Sequence, residues 1–510
     1  MRCESAHHTK AGDVTPTVCE IPLSADNLLR SLLALSPDLR LSILDSCGAG
    51  SSAARFLIAG FDPYEIIEAR GNQLSITQRG EKQARITRGD ALNALDERLA
   101  EYSVSVPPPE HLPAAGACIA TFSYELVHQL ERLRLNTARL VSDEPEMVLA
   151  FYDTLVIHDY RSGITKLTSV GGPQRLADTS ETLNNACIRA WKDYESNPVP
   201  SLSTTSNLTR DEYLATVRRI KERIAAGDIY QANLTQRLSC TLPQETTPES
   251  IFWRLRRNHP APFAAFIRRR DDVVISASPE RFLRVDARSG ERYVEAWPIK
   301  GTRARGANRE EDAALRAELL ASEKDRAENI MIVDLLRNDL GRVSRYGSIA
   351  VEELCALEEH PTLFHLVSKV RGTLRGDVTA GTLLRAAFPC GSITGAPKIR
   401  AVEIINEVET VPRGLSMGAL GYFSFDGSLD LNVAIRTMVI RDSVARFNVG
   451  GGIVADSCPA LEYEESLIKA RALLRALGAN ERQNPGVRIQ NPEYKAETTL
   501  TDSVSFYSDS

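Results

Sequence analysis

The sequence has little of what marks membrane, disulfide-bonded or nucleic-acid-binding proteins. No apolar run reaches 18 residues, and no hydrophobic stretch near the N-terminus precedes a small-residue cleavage site. The nine cysteines are scattered without a C-x-x-C pair, as expected of a reduced cytosolic protein. A net charge of −6 gives no attraction to nucleic acid or to an anionic membrane. We therefore expect a cytoplasmic protein with no membrane and no nucleic-acid partner.

Composition also divides the chain into segments. Residues 1–20 and 479–510 are polar and aperiodic, and we predict that both are disordered. Residues 194–208 are rich in Ser, Thr, Pro and Asn, which indicates a surface linker. The linker separates a region of short strands and turns, 21–193, from a longer region, 209–478, that carries the conspicuous motifs.

One lysine, Lys300, lies in the segment 298–302, which we predict to be a tight turn from apolar residues to glycine. It is either a solvated charge or a partly desolvated amine that can act as a nucleophile. Further along, Glu328 shares one face of a predicted helix with Ile332 and Leu335. A carboxylate on an apolar face needs a cation, and a metal ion or a guanidinium would serve.

A loop rich in glycine and proline, 388–398, opens a helix that we predict from Lys398 to Val408. The loop lacks the spacing of a P-loop, but amides at the helix start could hold a carboxylate. The run 360–365 is expected to open another helix, which includes His365. No two histidines have metal-ligand spacing.

A hairpin is predicted from strands at 418–425 and 431–440. Arg436 lies within the apolar run of the second strand, where a guanidinium cannot stay unpaired. It is therefore either half of a buried salt bridge or a bidentate clamp on a ligand carboxylate. The triple glycine 450–452 follows a strand, and glycines allow backbone N–H groups to approach a ligand closely.

Four motifs follow one another along the chain: PIKGTR, DRAENIMIVDLLRND, FPCGSITGAPK and GGGIVADS. Together they resemble the motifs of chorismate-utilising enzymes, the family that includes the large subunits of anthranilate synthase and aminodeoxychorismate synthase. The resemblance implies an α+β fold of four layers, α/β/β/α, with two central, mainly antiparallel sheets. It makes 21–193 an N-terminal component I region that contributes strands, and 209–478 the chorismate-binding catalytic region.

The resemblance also implies roles for individual residues. Lys300 and Glu280 are the implied catalytic residues, Glu280 as general acid or base, although a glutamate after a proline at a strand break is also common in exposed turns. Glu328 and Glu465 are the implied ligands of Mg²⁺, an ion that one or two carboxylates plus substrate and water can hold. The residues implied to bind chorismate are Gln231, Gly301, Thr302, His365, Thr394, Arg436, Gly450, Gly451, Gly452 and Lys469.

A second pocket, which binds tryptophan in relatives, is implied as well. Its matching residues are Ser46, Ala53, Ala54, Arg55, Phe56, Pro262, Phe263 and Ala264. Plain sheet structure explains these residues equally well, and a tryptophan bound there would be either structural or regulatory.

Family members that catalyse different reactions differ in the residues at two positions. In members that use water as the nucleophile a lysine matches Gln231, and anthranilate synthases pair glutamine with an alanine at the position of Lys300. The pair Gln231 and Lys300 resembles aminodeoxychorismate synthase component I. This implies attack of Lys300 on C2 of chorismate, loss of the C4 hydroxyl and addition of ammonia at C4. Ala304 and Ser416 depart from residues common in the family and leave the fit of the substrate open.

The sequence has no G-x-C-x-G nucleophile elbow, so we expect ammonia from a separate glutamine amidotransferase subunit or from solution. The implied pathway is the biosynthesis of p-aminobenzoate and folate. Two alternatives stay open: anthranilate synthase component I of tryptophan biosynthesis, and a non-catalytic paralogue that binds tryptophan. The retained catalytic and metal-binding residues argue against the second alternative.

Overall fold

The computed structural model describes residues 15–48, 54–103, 112–135, 141–189, 202–287, 290–359 and 363–478. The predictions on 479–510, on most of 1–20, on Ala53 and on the first part of the linker lie outside these ranges. The strands are β1 Thr17–Ile21, β2 Ser42–Asp45, β3 Phe56–Gly60, β4 Glu65–Arg70, β5 Gln73–Gln78, β6 Arg85–Arg88, β7 Ala117–Phe122, β8 Met147–Tyr152, β9 Thr154–Asp159, β10 Ile164–Ser169, β11 Thr204–Ser206, β12 Gln231–Thr241, β13 Phe263–Arg268, β14 Val273–Ser278, β15 Arg281–Asp286, β16 Tyr293–Trp297, β17 Ile299–Ala304, β18 Ala350–Glu359, β19 Leu363–Thr373, β20 Gly395–Ala396, β21 Ala419–Ser424, β22 Leu429–Val433, β23 Thr437–Arg441 and β24 Val444–Ile453.

The helices surround these strands. They are α1 Ala25–Leu33, α2 Ala91–Glu101, α3 Val127–Leu130, α4 Pro173–Arg189, α5 Arg210–Ala225, α6 Pro248–Asn258, α7 Arg309–Ala321, α8 Glu323–Gly341, α9 Ala380–Ala387, α10 Lys398–Val408 and α11 Pro459–Leu477. Within the described ranges, no helix has the length and apolarity needed to cross a membrane.

The strands form two sheets of twelve, and the pairs are antiparallel throughout the described residues. In the first sheet the order is β1-β10-β9-β3-β2-β13-β14-β23-β24-β12-β11, with β20 paired to β12. In the second sheet it is β17-β19-β16-β15-β22-β21-β7-β8-β4-β5-β6, with β18 paired to β19. The first ten strands divide evenly between the sheets, so the N-terminal region extends both of them.

Apolar side chains fill three layers. Residues such as Ile58, Ile119 and Ala265 pack between the two sheets. On the outer face of the first sheet, α1, α4, α6 and α11 cover one core cluster. On the outer face of the second sheet, α2, α8 and α9 cover another. The arrangement is helix, sheet, sheet, helix, which confirms the predicted four-layer α+β fold.

The chain crosses from one sheet to the other several times, and two of these crossings are neighbours. Between β14 and β15 it passes from the first sheet to the second through Pro279 and Glu280. Between β22 and β23 it returns to the first sheet through residues 434–436. The prediction of one strand over 431–440 was therefore wrong, because a continuous apolar run does not reveal that its halves pair in different sheets. Arg436 lies at the crossing, with φ of 48°.

Several helix boundaries follow from local signals in the sequence. Thr209 and Glu212 form the capping box at the start of α5, and α10 spans the predicted residues from Lys398 to Val408. The final helix α11 ends at Gly478, which adopts the left-handed conformation with φ of 86°. These helices confirm the sequence predictions at those positions.

Other local predictions were wrong. Lys300 lies in strand β17 rather than in a turn, and His365 lies in strand β19 rather than in a helix. The glycines 450–452 lie inside β24 rather than after a strand. β1 includes the last residues of the segment predicted as disordered, and β11 lies within the segment predicted as a linker.

Candidate active site

Strands β12 and β24 approach closely at the triple glycine. A Cβ atom on Gly450 would lie 1.8 Å from the carbonyl oxygen of Leu234, so only glycine fits against β12 there. A Cβ atom on Gly452 would lie 2.7 Å from Nε2 of Gln231. The glycines therefore make room for the Gln231 side chain. Neither polar atom of that fully buried amide has a hydrogen-bond partner among the described residues, so it can serve a polar ligand.

Lys300 projects from an irregular part of β17. The register with β19 shifts between Ile299 and Thr302, and Gly301 has φ of 86°. Such a bulge redirects a side chain. The Nζ atom of Lys300 lies 4.0 Å from Oε2 of Glu328 on α8, and 14% of the lysine side chain is exposed. The position leaves Lys300 partly desolvated, one of the two states that the sequence allowed.

Glu280 is a buried carboxyl at the first crossing and is 4% exposed, so it is not the exposed turn residue of the alternative interpretation. Burial raises the pKa of Glu280 to about 7, although a hydrogen bond with Ser392 and the charges of Lys300 and Lys469 act in the opposite direction. Its Oε1 atom has no partner within the described ranges. Glu280, Lys300 and Lys469 therefore lie within electrostatic reach of one another, and the carboxyl can carry a proton near neutral pH.

Helix α11 brings Glu465 and Lys469 to the triple glycine. Nζ of Lys469 lies 2.8 Å from Oε1 of Glu465 and donates a hydrogen bond of 3.0 Å to the carbonyl oxygen of Gly450. Both side chains are about half exposed, so this side of the site is open to solvent. Partial burial would raise the pKa of Glu465, but the charge and hydrogen bond of Lys469 lower it.

The two expected metal ligands act on each other electrostatically. Burial raises the pKa of Glu328, the negative charge of Glu465 adds to this effect, and Lys300 and Lys324 oppose it. In the part of the chain that the structure describes, no group of three or more His, Cys, Asp or Glu side chains is arranged to hold a metal ion. One largely buried carboxylate, Glu328, and one half-exposed carboxylate, Glu465, fit a hard cation that takes its other oxygen ligands from substrate and water.

Three other expected substrate ligands make hydrogen bonds with one another or with their own loop. Oγ1 of Thr302 and Nδ1 of His365 lie 2.8 Å apart across β17 and β19. The Thr394 hydroxyl donates to the carbonyl oxygens of Cys390 and Gly391, so it stabilises its own loop.

Arg436 is partly buried, and this burial lowers its pKa. Its side chain makes no hydrogen bond or ion pair with any residue that the structure describes, so the predicted salt-bridge alternative is not observed there. The charge of Arg436 reaches His259 at the end of α6, where burial and the charge of Arg475 also lower the histidine pKa. The carbonyl oxygen of Arg436 accepts a hydrogen bond of 3.0 Å from the N–H of Ala277, and this bond connects Arg436 to the strand that leads into Glu280.

Some neighbours of the site were missed by the sequence analysis. Ser392 faces Glu280, and nothing in the loop sequence singled it out. Glu462 is buried, accepts a hydrogen bond of 2.6 Å from Ser457 and lies 3.8 Å from Lys324. Its spacing of three residues from Glu465 on one helix was the available signal.

A second cavity contains part of the predicted tryptophan pocket. Its lining includes Ser46, Phe56, Pro262, Phe263 and Ala264, together with residues of β21 and β22 such as Tyr422, Asp430 and Asn432. Arg55 and Ala54 do not line the cavity. Arg55 instead forms an ion pair of 2.8 Å with Asp159.

Comparisons with known proteins agree with this arrangement. The model of the chorismate binding enzyme family matches residues 44–475. Aminodeoxychorismate synthase component 1 of Klebsiella aerogenes is 37% identical over 472 residues, which are 91% of this chain and 99% of that protein. Anthranilate synthase component 1 of Acetivibrio thermocellus is 36% identical over 451 residues, covering 85% of this chain and 89% of that protein. The crystal structure of anthranilate synthase component I from Streptococcus pneumoniae TIGR4 matches with a TM-score of 0.69 at 29% identity, covering 83% of this chain and 93% of that one. This chain therefore belongs to the family of chorismate binding enzymes.

Proposed function

We propose that this chain is component 1 of an aminodeoxychorismate synthase, which converts chorismate and ammonia to 4-amino-4-deoxychorismate for p-aminobenzoate and folate biosynthesis. Relatives named as aminodeoxychorismate and as anthranilate synthases match it about equally well, so the choice rests on the site. The observation that carries the proposal is the position of Lys300, partly desolvated between Glu328 and Glu280. An amine held there is placed to act as a nucleophile.

We assign separate groups to the two carboxylates of chorismate. Arg436 is partly buried, its guanidinium has no hydrogen-bond or ion-pair partner among the described residues, and a carboxylate could bind it in bidentate fashion. Lys469 beside the triple glycine is a second candidate. Glu328 and Glu465 would hold Mg²⁺, which as a Lewis acid would stabilise the departing C4 oxygen when bound.

The proposed chemistry proceeds in two displacements. The Nζ atom of Lys300 forms a bond to C2, the two conjugated ring double bonds shift by one position each, and the C4–O bond breaks. Glu280 in its acid form donates a proton, so that the hydroxyl leaves as water. Ammonia then forms a bond to C4, the two double bonds shift back, and the C2–Nζ bond breaks. Glu280 recovers its proton from the added nitrogen, and Lys300 returns as a free amine.

Gln231 supports the choice of ammonia over water. Its amide is buried and lacks an internal partner among the described residues, and an uncharged amide cannot deprotonate water as a lysine could. We propose that a separate glutamine amidotransferase subunit supplies the ammonia, since the chain has no G-x-C-x-G elbow.

One assay tests the proposal. Purified chain is incubated with chorismate, Mg²⁺ and an ammonium salt, and products are separated before and after addition of a separate aminodeoxychorismate lyase. We expect a non-aromatic product that the lyase converts to p-aminobenzoate. Fluorescent anthranilate formed without the lyase would assign the chain to anthranilate synthase instead. Unchanged chorismate would favour a non-catalytic paralogue.

A further inference from the structure

The crossing between β14 and β15 and the crossing between β22 and β23 are joined by hydrogen bonds. The hydroxyl of Ser278 donates to the carbonyl oxygen of Val433 at 2.6 Å and accepts from the backbone N–H of Glu280 at 3.3 Å. The N–H of Val433 donates to the carbonyl oxygen of Glu280 at 3.0 Å, and that of Ala277 donates to the carbonyl oxygen of Arg436 at 3.0 Å. One serine hydroxyl therefore links Glu280 in the first crossing to Val433, the residue directly before the second crossing.

The hydroxyl of Ser278 is shielded from water. Ser278 is 0% exposed, so water cannot replace its hydrogen bonds without a rearrangement. Arg436 has a left-handed backbone, which is uncommon for a non-glycine residue and persists only where its surroundings hold it. Its guanidinium makes no hydrogen bond or ion pair with the described residues, and Oε1 of Glu280 likewise has no partner there. Glu280 also has hydrogen bonds with Ser392 and with the backbone of Ile299, and beyond these the positions of both side chains depend on the backbone of the crossings.

We propose that Ser278 is a positioning residue that holds Glu280 and Arg436 in one fixed arrangement for the reaction. The inference rests on the proposed function, in which Glu280 transfers a proton and Arg436 binds a substrate carboxylate. Loss of the Ser278 hydroxyl would free both crossings, and small displacements of reacting groups are costly in rate.

Ser278→Ala tests the proposal, with Ser42→Ala as its matched control. Ser42 is likewise buried in a strand of the same sheet, β2, and its hydroxyl bonds to that of Tyr152 at 2.9 Å rather than to either of these two crossings. We expect Ser278→Ala to lower kcat for chorismate consumption on the order of 10–100-fold and to raise KM. Ser42→Ala should change both less than about threefold, with a similar shift in melting temperature. Equal losses in the two variants would overturn the proposal.

A double-mutant cycle separates positioning from general damage. In a Glu280→Gln background, Ser278→Ala should no longer lower kcat, because the proton donor that it aligns is already gone. Its effect on KM should persist, since that effect acts through Arg436. An undiminished effect on kcat in that background would contradict the proposal. If Ser278→Ala fails to fold, Ser278→Cys keeps the size and a weak donor and serves in the same cycle.

Two measurements, chorismate consumption and chorismate binding, test this inference separately from the proposed function. Following chorismate rather than product means that anthranilate formation would revise the function and leave the Ser278 comparison valid. Calorimetric binding of chorismate needs no turnover. There, Ser278→Ala should weaken chorismate binding relative to Ser42→Ala, and an equal Kd in both would overturn the role of Ser278 toward Arg436.

Discussion

The Nζ atom of Lys300 lies 4.0 Å from Oε2 of Glu328, and only 14% and 16% of these side chains are exposed. Strand β17 supplies the amine and helix α8 supplies the carboxylate. The proposed nucleophile and the proposed metal ligand are thus each other's nearest charged partner. A divalent cation at Glu328 would compete with the ammonium of Lys300 for the same carboxylate.

The first prediction concerns the metal. Glu328→Gln and Glu465→Gln should each lower turnover by about 10²-fold or more, because each removes one of two protein ligands and with it part of the Lewis-acid stabilisation. The measurement is the steady-state rate against Mg²⁺ concentration and in excess chelator. The fold should survive, since neither side chain packs in a core cluster.

Glu464→Gln is the matched control, since it removes a neighbouring carboxylate on α11 that does not belong to the cluster. It should leave the Mg²⁺ dependence unchanged. Full activity of Glu465→Gln, or wild-type activity in excess chelator, would rule out the metal assignment.

The second prediction concerns the nitrogen source. The purified chain should use ammonium salts and should neither consume nor hydrolyse glutamine, because no amidotransferase nucleophile elbow occurs in its sequence. The measurement is glutamate release alongside product formation, at increasing pH so that free ammonia rises. Glutamate release by the isolated chain would show that the chain has an amidotransferase activity of its own.

The third prediction is a pH dependence that arises from Glu280. Its pKa is raised to about 7 by burial, in a site that also contains Lys300, Lys469 and Cys390. The acid form is required for proton donation, so kcat should fall as pH rises above about 7 when free ammonia is held constant. Glu280→Gln should lower kcat by about 10²-fold or more and abolish this decline. The same decline in the variant would assign it to another group.

Stability gives an independent check on Glu280. The folded carboxyl keeps its proton up to about pH 7, whereas the unfolded one releases it near its ordinary value of 4.5. The folded state therefore binds more protons between these values, and the free energy of unfolding falls as pH rises through this range. The contribution amounts to roughly 3 kcal/mol. Denaturant unfolding from pH 4.5 to 8 should show that Glu280→Gln lacks this dependence.

The fourth prediction concerns a buried ion pair beside the loop 388–398. Arg413 is 2% exposed, pairs with Glu409 at 2.8 Å and donates to the carbonyl oxygens of Ile393 and Asn233. Arg413→Ala would leave the Glu409 carboxylate buried without its cation, at a cost of about 3–5 kcal/mol. The measurement is the free energy of unfolding in urea. In the control Arg337→Ala, which removes an exposed pair with Asp334, the change should stay below about 1 kcal/mol.

Local signals in the sequence predicted much of the fold. Thr209 with Glu212 marked the start of α5, and Gly478 marked the end of α11, because capping depends on residues a few positions apart. The four-layer architecture came from the family resemblance. Positions set by long-range pairing were not predictable in this way. The break at Arg436, for example, depends on β22 and β23 pairing with strands of different sheets.

In the candidate site, too, the residues were predictable from sequence but the long-range contacts that position them were not. The motifs singled out Lys300, Glu280 and Glu328, but not the strand bulge that directs Lys300 toward Glu328. A glycine at positive φ fits a turn and a bulge equally well from sequence. Contacts such as Ser392 to Glu280 join segments more than a hundred residues apart, and no local pattern encodes them.

The last prediction concerns Lys300. Lys300→Ala should strongly suppress formation of aminodeoxychorismate, because no amine would then attack C2 and direct ammonia to C4. The variant recreates the glutamine–alanine pair that resembles anthranilate synthases, so traces of anthranilate are expected. Some turnover should remain, since the metal and the carboxylate ligands would still orient chorismate. The measurement is product analysis by liquid chromatography with fluorescence detection.

A covalent adduct provides the direct test. Wild-type enzyme given chorismate and Mg²⁺ without ammonia should accumulate an adduct on the peptide that contains Lys300, detected by mass spectrometry. Lys300→Arg is the matched control, because it keeps the positive charge beside Glu328 but has no free amine at neutral pH. It should form no adduct. If wild type also forms none and Lys300→Ala makes the same product at an undiminished rate, Lys300 takes no covalent part. In that case its role would be limited to the charge that it places 4.0 Å from Glu328.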